Sequence, residues 1–139
     1  MDNSKGSMAE QIGHAAKAFE QERTGHAPTS VMVVLSDDAL VITLHGSLSE
    51  AEKALAKDPD GAAKVQEFHR QLFATAAGTL RQDIERITGV MVREASEEIE
   101  PSTATVMKVF ASGTMVQVFL LADSVATDVY RSGQECQAR

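Results

Sequence analysis

The feature of this sequence that most constrains its fold is a long run of apolar residues at spacings of three and four, the period of one helix face. The run consists of Val65, Phe68, Leu72, Ala76, Leu80, Ile84 and Ile87. Asp58-Pro59 before it is typical of a helix cap and first turn, and Thr88-Gly89 after it is typical of a helix end. We therefore predict one helix of about seven turns with its apolar stripe in the core. Gly78 weakens such a helix by about 1 kcal/mol relative to Ala, which indicates a close neighbour or a bend.

The residues before this helix predict one further helix and two strands. A capping box, Ser7-Met-Ala-Glu10, precedes apolar residues at helical spacing, and this helix is expected to end near Arg23. Two β-branched, apolar runs at 30–35 and 39–45 flank the polar turn Ser36-Asp-Asp38, which predicts a hairpin. The positions expected on the inner side of the two strands are Val31, Val33, Leu35, Leu40, Ile42 and Leu44.

The remaining elements are one short helix and three strands. Two overlapping capping boxes within Ser47-Leu-Ser-Glu-Ala-Glu52 predict a helix that reaches about Ala56. Apolar runs at 90–95, 105–111 and 115–122 predict three strands, the last two joined by a glycine-containing loop.

Together these elements predict an α+β fold in the order α-β-β-α-α-β-β-β. Hairpins joined by a helical crossover form a mostly antiparallel sheet, here of four to five strands, with helices packed on one face. We expect a single domain over residues 8–122. Residues 1–7 are expected to be a disordered N-terminus or a tag remnant, and residues 123–139 a C-terminal tail or a short helix.

Charge and composition argue against several classes of protein. A formal net charge of −7 repels a phosphate backbone, and aromatic residues make up only 4% of the chain, so nucleic acid is not an expected partner. The single cysteine, Cys136, fits a reducing compartment, and we expect a cytoplasmic protein. No apolar segment is long enough to insert in a membrane directly.

The sequence contains no pattern typical of an active site or a metal site. The four histidines are His14, His26, His45 and His69, and none has the i, i+4 pairing or the neighbouring cysteines of a zinc site. The glycines form no phosphate-binding pattern, and no serine occupies a Gly-x-Ser-x-Gly elbow. We therefore expect no catalytic residue, no metal and no cofactor, and we expect the protein not to be an enzyme.

Two polar loops remain candidates for binding a ligand or a partner. The first holds Thr24, Gly25, His26 and Pro28, and loops carry function more often than the elements they connect. The second is an acidic turn that contains Glu97 and Glu98. The acidic turn lacks the alternating Asp/Asn and glycine pattern of a calcium loop, so a solvated turn is the favoured explanation of it.

Two segments of the chain resemble the MpsC-like family. Thr24-Gly-His-Ala-Pro-Thr29, a hairpin, and then His45-Gly-Ser-Leu-Ser-Glu-Ala-Glu-Lys-Ala-Leu55 resemble that family's pattern of Gly-basic-Gly-Pro, hairpin and Gly-x-Leu-Thr-x-x-Glu. Ile84-Glu-Arg-Ile-Thr-Gly-Val-Met-Val92, leading to Ser96 and Glu100-Pro101, resembles its second signature. The resemblance covers roughly residues 8 to 111. Ala27 and Ser49 depart from the pattern, and the strand at 115–122 lies beyond the usual end of the family.

The resemblance implies a small bacterial protein with no defined active site. Its family is named for a Na+-translocating, membrane-potential-generating system that is also tied to inorganic-carbon uptake and whose other components are membrane-associated. The positions that match the family pattern are Gly25, Pro28, Gly46, Leu48, Glu52, Thr88 and Gly89. Each of them has a backbone or capping reason to be there, so we expect them to determine the fold.

Three hypotheses about function follow. The first is a non-enzymatic accessory or regulatory protein, homodimeric and attached to a membrane transport protein, as a soluble component of a cation-translocating or inorganic-carbon uptake system. The second is a small-molecule or ion sensor that uses the two polar loops. The third is an acid/base enzyme, which requires His26 or His45 to meet a carboxylate in one pocket.

Overall fold

Three helices and three strands make up the described part of the chain, and together they form an α+β fold. The computed structural model describes residues 6–93, 105–109 and 113–132. The elements are α1 (Met8–Thr24), β1 (Ser30–His45), α2 (Glu50–Leu55), α3 (Pro59–Thr88), β2 (Thr105–Val109) and β3 (Met115–Ser132). The strands form an antiparallel sheet in the order β1-β3-β2. None of the helices described has the length and apolar character needed to cross a membrane.

The helices begin at the capping residues that the sequence predicts. Ser7 caps α1 and accepts a hydrogen bond from Glu10 N at 3.2 Å, and Asp58 Oδ1 caps α3 and accepts one from Gly61 N at 2.7 Å. Of the two overlapping capping boxes, the structure uses the second, formed by Ser49 and Glu52 at the start of α2. These side chains satisfy amide groups that a helix leaves without an internal partner.

The predicted hairpin at Ser36–Asp38 is wrong. Residues 30 to 45 form one continuous strand, and both halves of it pair with β3. The polar residues form an irregularity in the strand, where Asp37 has a left-handed φ of 61° and the register shifts on both sides. A bulge of this kind inserts extra residues without reversing the chain. It preserves the predicted inner positions, because all six lie buried on either side of it.

The predicted number and order of strands are also wrong, because two long strands replace several of the predicted shorter ones. β3 continues from Met115 to Ser132, so the predicted C-terminal tail or short helix is a strand as far as Ser132, and the expected domain end at Ala122 falls inside β3. The predicted strand at 90–95 forms only an isolated bridge, between Val92 and Leu121, within its described residues. The observed order is α-β-α-α-β-β. Strand pairing is a long-range contact that local patterns leave open.

The core lies between the helices and one face of the sheet. Helix α1 approaches the sheet closely at Gly13, where an added Cβ would stand 2.8 Å from the Tyr130 ring. Helix α3 reaches the sheet through Phe73, whose ring centroid lies 6.1 Å from that of Phe119 and 6.2 Å from that of Phe19 on α1. The three rings therefore connect α1 and α3 with β3 through one aromatic cluster.

The buried face of α3 differs from the predicted apolar stripe. Its buried side chains include Val65, His69, Phe73, Leu80 and Ile84. Phe68, expected in the core, is 51% exposed, because a spacing of four from Val65 selects His69 for the buried row instead. No atom lies within 4 Å of a Cβ added at Gly78, so the predicted close neighbour is absent from the described residues.

Candidate functional site

Three helices bring two carboxylates and one imidazole together at a position that we call the three-helix junction. It consists of Glu20 from α1, Glu52 from α2 and His69 from α3. His69 Nε2 lies 2.9 Å from Glu52 Oε2, and because a carboxylate only accepts, the imidazole donates. Glu20 interacts with Glu52 through its charge.

Glu20 and His69 are buried because they occupy apolar helix faces. Glu20 follows Ala16 by four residues on α1, and His69 stands midway between Val65 and Phe73 on α3. Residues at this spacing lie on the same side of a helix, so the apolar neighbours carry the polar residue into the interior. The sequence does carry a signal of this burial: in each helix a titratable residue stands four positions from an apolar residue of the same helix face. Neither Glu20 nor His69 was among the predicted site residues.

Glu20 is the group of the three-helix junction that has a buried polar atom without a hydrogen bond to the described part of the chain. Only 4% of the residue is exposed, and its Oε1 atom is buried without a hydrogen-bond partner among the described residues. Burial, together with the nearby Glu52 carboxylate, raises the pKa of Glu20 to about 7. Both causes disfavour the charged form, so the carboxyl exchanges its proton near neutral pH.

Glu52 has the opposite electrostatic character. Burial alone would raise the pKa of Glu52, but the Ser49 N–H and the His69 imidazole hydrogen-bond to its two oxygens and lower it. Its side chain is 21% exposed, whereas that of His69 is 1% exposed. Glu52 therefore stays ionised while Glu20, on the neighbouring helix, favours its proton.

The predicted loop Thr24–Pro28 is adjacent to this junction along α1. Thr24 Oγ1 donates to the carbonyl of Glu20 at 2.8 Å and accepts from His26 N at 3.1 Å. Gly25 ends α1 in the left-handed region with φ 78°, and Pro28 is buried. His26 Nε2 donates to the carbonyl of Gly46 at 2.9 Å. The loop residues thus hold the end of α1 against the start of the segment that leads to α2.

The remaining family-pattern positions also make structural contacts. Gly46 has φ 67°, and a Cβ there would stand 2.5 Å from Thr29 Oγ1. Thr88 and Gly89 end α3 in the manner of Thr24 and Gly25, with Thr88 Oγ1 donating to the carbonyl of Ile84 at 2.8 Å. Leu48 is 2% exposed.

The two remaining candidates from the sequence are the acidic turn and His45. Glu97 and Glu98 lie outside the described residues. His26 and His45 lie near one another, since His26 contacts Gly46, but the side-chain contact of His45 is a 3.4 Å approach to Thr114 Oγ1. Among the described residues, the buried imidazole pairs with a carboxylate in His69–Glu52 at 2.9 Å, whereas a more exposed pair, His14–Glu10, is separated by 3.9 Å. Within residues 6–93, 105–109 and 113–132, no three His, Cys, Asp or Glu side chains are placed to hold a metal ion.

Comparison with known proteins gives a family and a curated relative. A family model described as "Na+-translocating membrane potential-generating system (MpsC)" matches residues 4–113. The curated relative is "Uncharacterized protein YbcI" of Bacillus subtilis (strain 168), which is 24% identical over 110 residues, or 79% of this chain and 89% of the relative. No solved structure matches significantly.

Proposed function

This chain belongs to the MpsC family, and from that premise we propose that it is a non-enzymatic accessory or regulatory component of a cation-translocating or inorganic-carbon uptake system. The observation that carries the proposal is the match of the family model to residues 4–113, which include both segments of the resemblance. The family is named for a Na+-translocating system that generates a membrane potential. The chain would act from the cytoplasmic side through a membrane-transport partner.

The geometry of the three-helix junction supports a role without catalysis. Its imidazole–carboxylate pair is the arrangement that acid/base chemistry would use, but the side chain of His69 is 1% exposed. A general base must come within hydrogen-bonding distance of the substrate proton, or reach it through one water. The buried ring instead connects α3 to α2.

The test is the Na+ dependence of the membrane potential in a deletion strain. Cells with and without the gene are loaded with a voltage-sensitive dye at low and high external Na+, and a plasmid copy restores the gene. We expect the deletion to reduce the Na+-dependent part of the potential and the plasmid to restore it. An unchanged Na+-dependent potential in the deletion strain would overturn the proposal.

We further propose that the chain forms a homodimer through β1. This strand forms one edge of the sheet, extends over 16 residues, and carries only two acidic residues, Asp37 and Asp38. Long apolar edges present unpaired backbone groups that a second chain can pair with. Light scattering after size exclusion should give a mass near 30 kDa, about twice that of the chain. A mass of one chain at high concentration contradicts the dimer.

A sensor of a small molecule or ion is the second candidate, and one observation favours it. The unpartnered Oε1 atom of Glu20 lies in the interior, one helix turn from the Thr24–Pro28 loop. Thermal unfolding is measured at constant pH with nucleotides, bicarbonate, Na+ and divalent cations. A ligand at a hundred times its dissociation constant adds about 2.7 kcal/mol of stability, which a melting experiment detects. The absence of a shift with every compound removes this candidate for those ligands.

A further inference from the structure

When it is ionised, the Glu20 carboxyl does not stabilise the fold. It is 4% exposed, and its Oε1 atom receives no hydrogen bond from the described residues. A buried carboxylate without a partner is far less favourable than the neutral acid. It also lies one turn before the C-terminus of α1, where the helix dipole disfavours a negative charge.

We propose that Glu20 is a proton-operated switch, which holds the end of α1 in the three-helix junction when protonated and releases it when ionised. The ion that operates this switch is a proton. The inference does not depend on the proposed accessory role. It identifies the proton as the ion that the second candidate function, a sensor, would detect.

Glu52 acts on Glu20 through its charge, and the helices of the junction carry further titratable and charged groups. Helix α2 contributes Glu52, and α3 contributes His69, which is hydrogen-bonded to Glu52 at 2.9 Å. On α1 itself, the Arg23 guanidinium lies over the Phe19 ring, 5.7 Å from its centroid.

Among the described side chains, those of β1 and β3 add no compensating charge. The inward-facing side chains of β1 and β3 that are buried carry no charge. Asp128 of β3 accepts from Ala9 N at 2.8 Å, which is eleven residues, or about 16 Å of helix, away from Glu20. Glu20 therefore ionises in the interior near a carboxylate, and burial with Glu52 raises the pKa of Glu20 to about 7.

A chain of hydrogen bonds connects Glu20 to the predicted ligand or partner loop. The carbonyl of Glu20 accepts from Thr24 Oγ1, which accepts from His26 N, and the His26 ring donates to Gly46. Movement of the last turn of α1 toward water would thus change the conformation of Thr24 and Gly25. Loss of the proton at Glu20 is thereby transmitted to the surface loop.

The sign of the pH effect follows from the raised pKa. The native state holds the extra proton between pH 4.5, the ordinary value for glutamate, and pH 7, so stability is greatest at acidic pH and falls as the pH rises through 7. The corresponding fall in the folding equilibrium constant is about 300-fold.

The experiment follows the glutamate carboxyl carbons by NMR in the full chain, labelled with 13C at glutamate, between pH 4 and 9. We expect one carboxyl to titrate near pH 7 and the amides of Thr24 and Gly25 to shift with the same midpoint. In Glu20→Gln this titration should be absent and the two amides should stay in their low-pH positions. The matched control, Glu22→Gln, changes an exposed glutamate of the same helix and should keep the wild-type curve.

Two results would overturn the switch. One is a wild-type spectrum in which every glutamate titrates below pH 6, which decides the question even if Glu20→Gln fails to fold. The other is a titration near pH 7 that persists in Glu20→Gln. Urea unfolding at pH 5 and 8.5 gives a second readout, in which wild type and Glu22→Gln lose stability with rising pH and Glu20→Gln loses much less.

Discussion

At the scale of single residues, Glu52 connects local helix capping to tertiary packing. Its Oε1 atom accepts from Ser49 N at 2.9 Å and completes the capping box of α2. Its Oε2 atom accepts from His69 on α3 at 2.9 Å. The same carboxylate charge raises the pKa of Glu20 on α1. One side chain therefore acts on all three helices, which makes it the most informative residue of the junction to change.

We expect Glu52→Gln to destabilise the protein by about 2 kcal/mol at pH 7, the usual magnitude for a hydrogen bond to a charged group. The pKa of Glu52 is lowered in the folded state, so its stabilisation is present above pH 4.5 and is lost as the pH falls through the folded pKa. The difference from wild type, measured by urea unfolding, should shrink in acid. Removing the charge should also move the Glu20 titration to lower pH.

Glu50→Gln is the control on the same helix. The Glu50 side chain is 93% exposed and its partner Lys53 is 3.2 Å away, so the substitution should change stability by less than about 0.5 kcal/mol. Equal losses for the two variants would contradict the role assigned to Glu52.

At the scale of secondary-structure elements, Gly13 of α1 and Gly78 of α3 have different environments. A Cβ at Gly13 of α1 would stand 2.8 Å from the Tyr130 ring and 3.4 Å from Val33, whereas a Cβ at Gly78 of α3 would have no neighbour within 4 Å. Gly13 therefore allows α1 to lie close to β1 and β3. Gly78 only lowers the helix propensity of α3.

We expect Gly13→Ala to lower stability by about 1 kcal/mol, because the cost of forcing Tyr130 aside exceeds the gain in helix propensity. Gly78→Ala should raise stability by about 1 kcal/mol. Thermal and urea unfolding measure both changes on the same day and in the same buffer. A stabilised Gly13→Ala protein would show that α1 does not depend on close contact with the sheet.

At the scale of the whole molecule, β3 determines how the sheet is assembled. Its first part pairs with β1 on one side and β2 on the other, and its last part, Val125–Ser132, pairs with residues 31–37 of β1. This last part also supplies Tyr130, which packs against α1, and Asp128, which bonds to Ala9 N. Residues 123–132 therefore belong to the folded unit.

We expect a chain that ends at Ala122, the predicted domain boundary, to lose cooperative thermal unfolding. It would leave the first half of β1 without its described partner and expose the inner side chains Val31, Val33 and Leu35. A chain that ends at Ser132 keeps every described pair of β3 and serves as the control. Circular dichroism at increasing temperature distinguishes them, and a cooperative transition at the wild-type temperature in the shorter chain would contradict the structure.

The sequence by itself determined the features that depend on neighbours along the chain. Ser7, Ser49 and Asp58 start helices, and Gly25 and Gly89 end them, because capping involves atoms only a few residues apart. Alternation also predicted which side of β1 is buried, and the family resemblance rested on these same local segments.

Only the tertiary structure decided which strands pair and which polar residues are buried. Ser36–Asp38 is compatible with a hairpin or a bulge, and β3 selects the bulge because it is long enough to pair with both halves of β1. From the sequence alone, Glu20 and His69 are ordinary polar positions, and they are buried because α1, α2 and α3 meet around them. Phe68 is an ordinary core position by sequence, but in the structure His69 is buried and Phe68 is exposed. The physical reason is that burial and strand pairing depend on contacts between residues far apart in sequence, which local propensity does not specify.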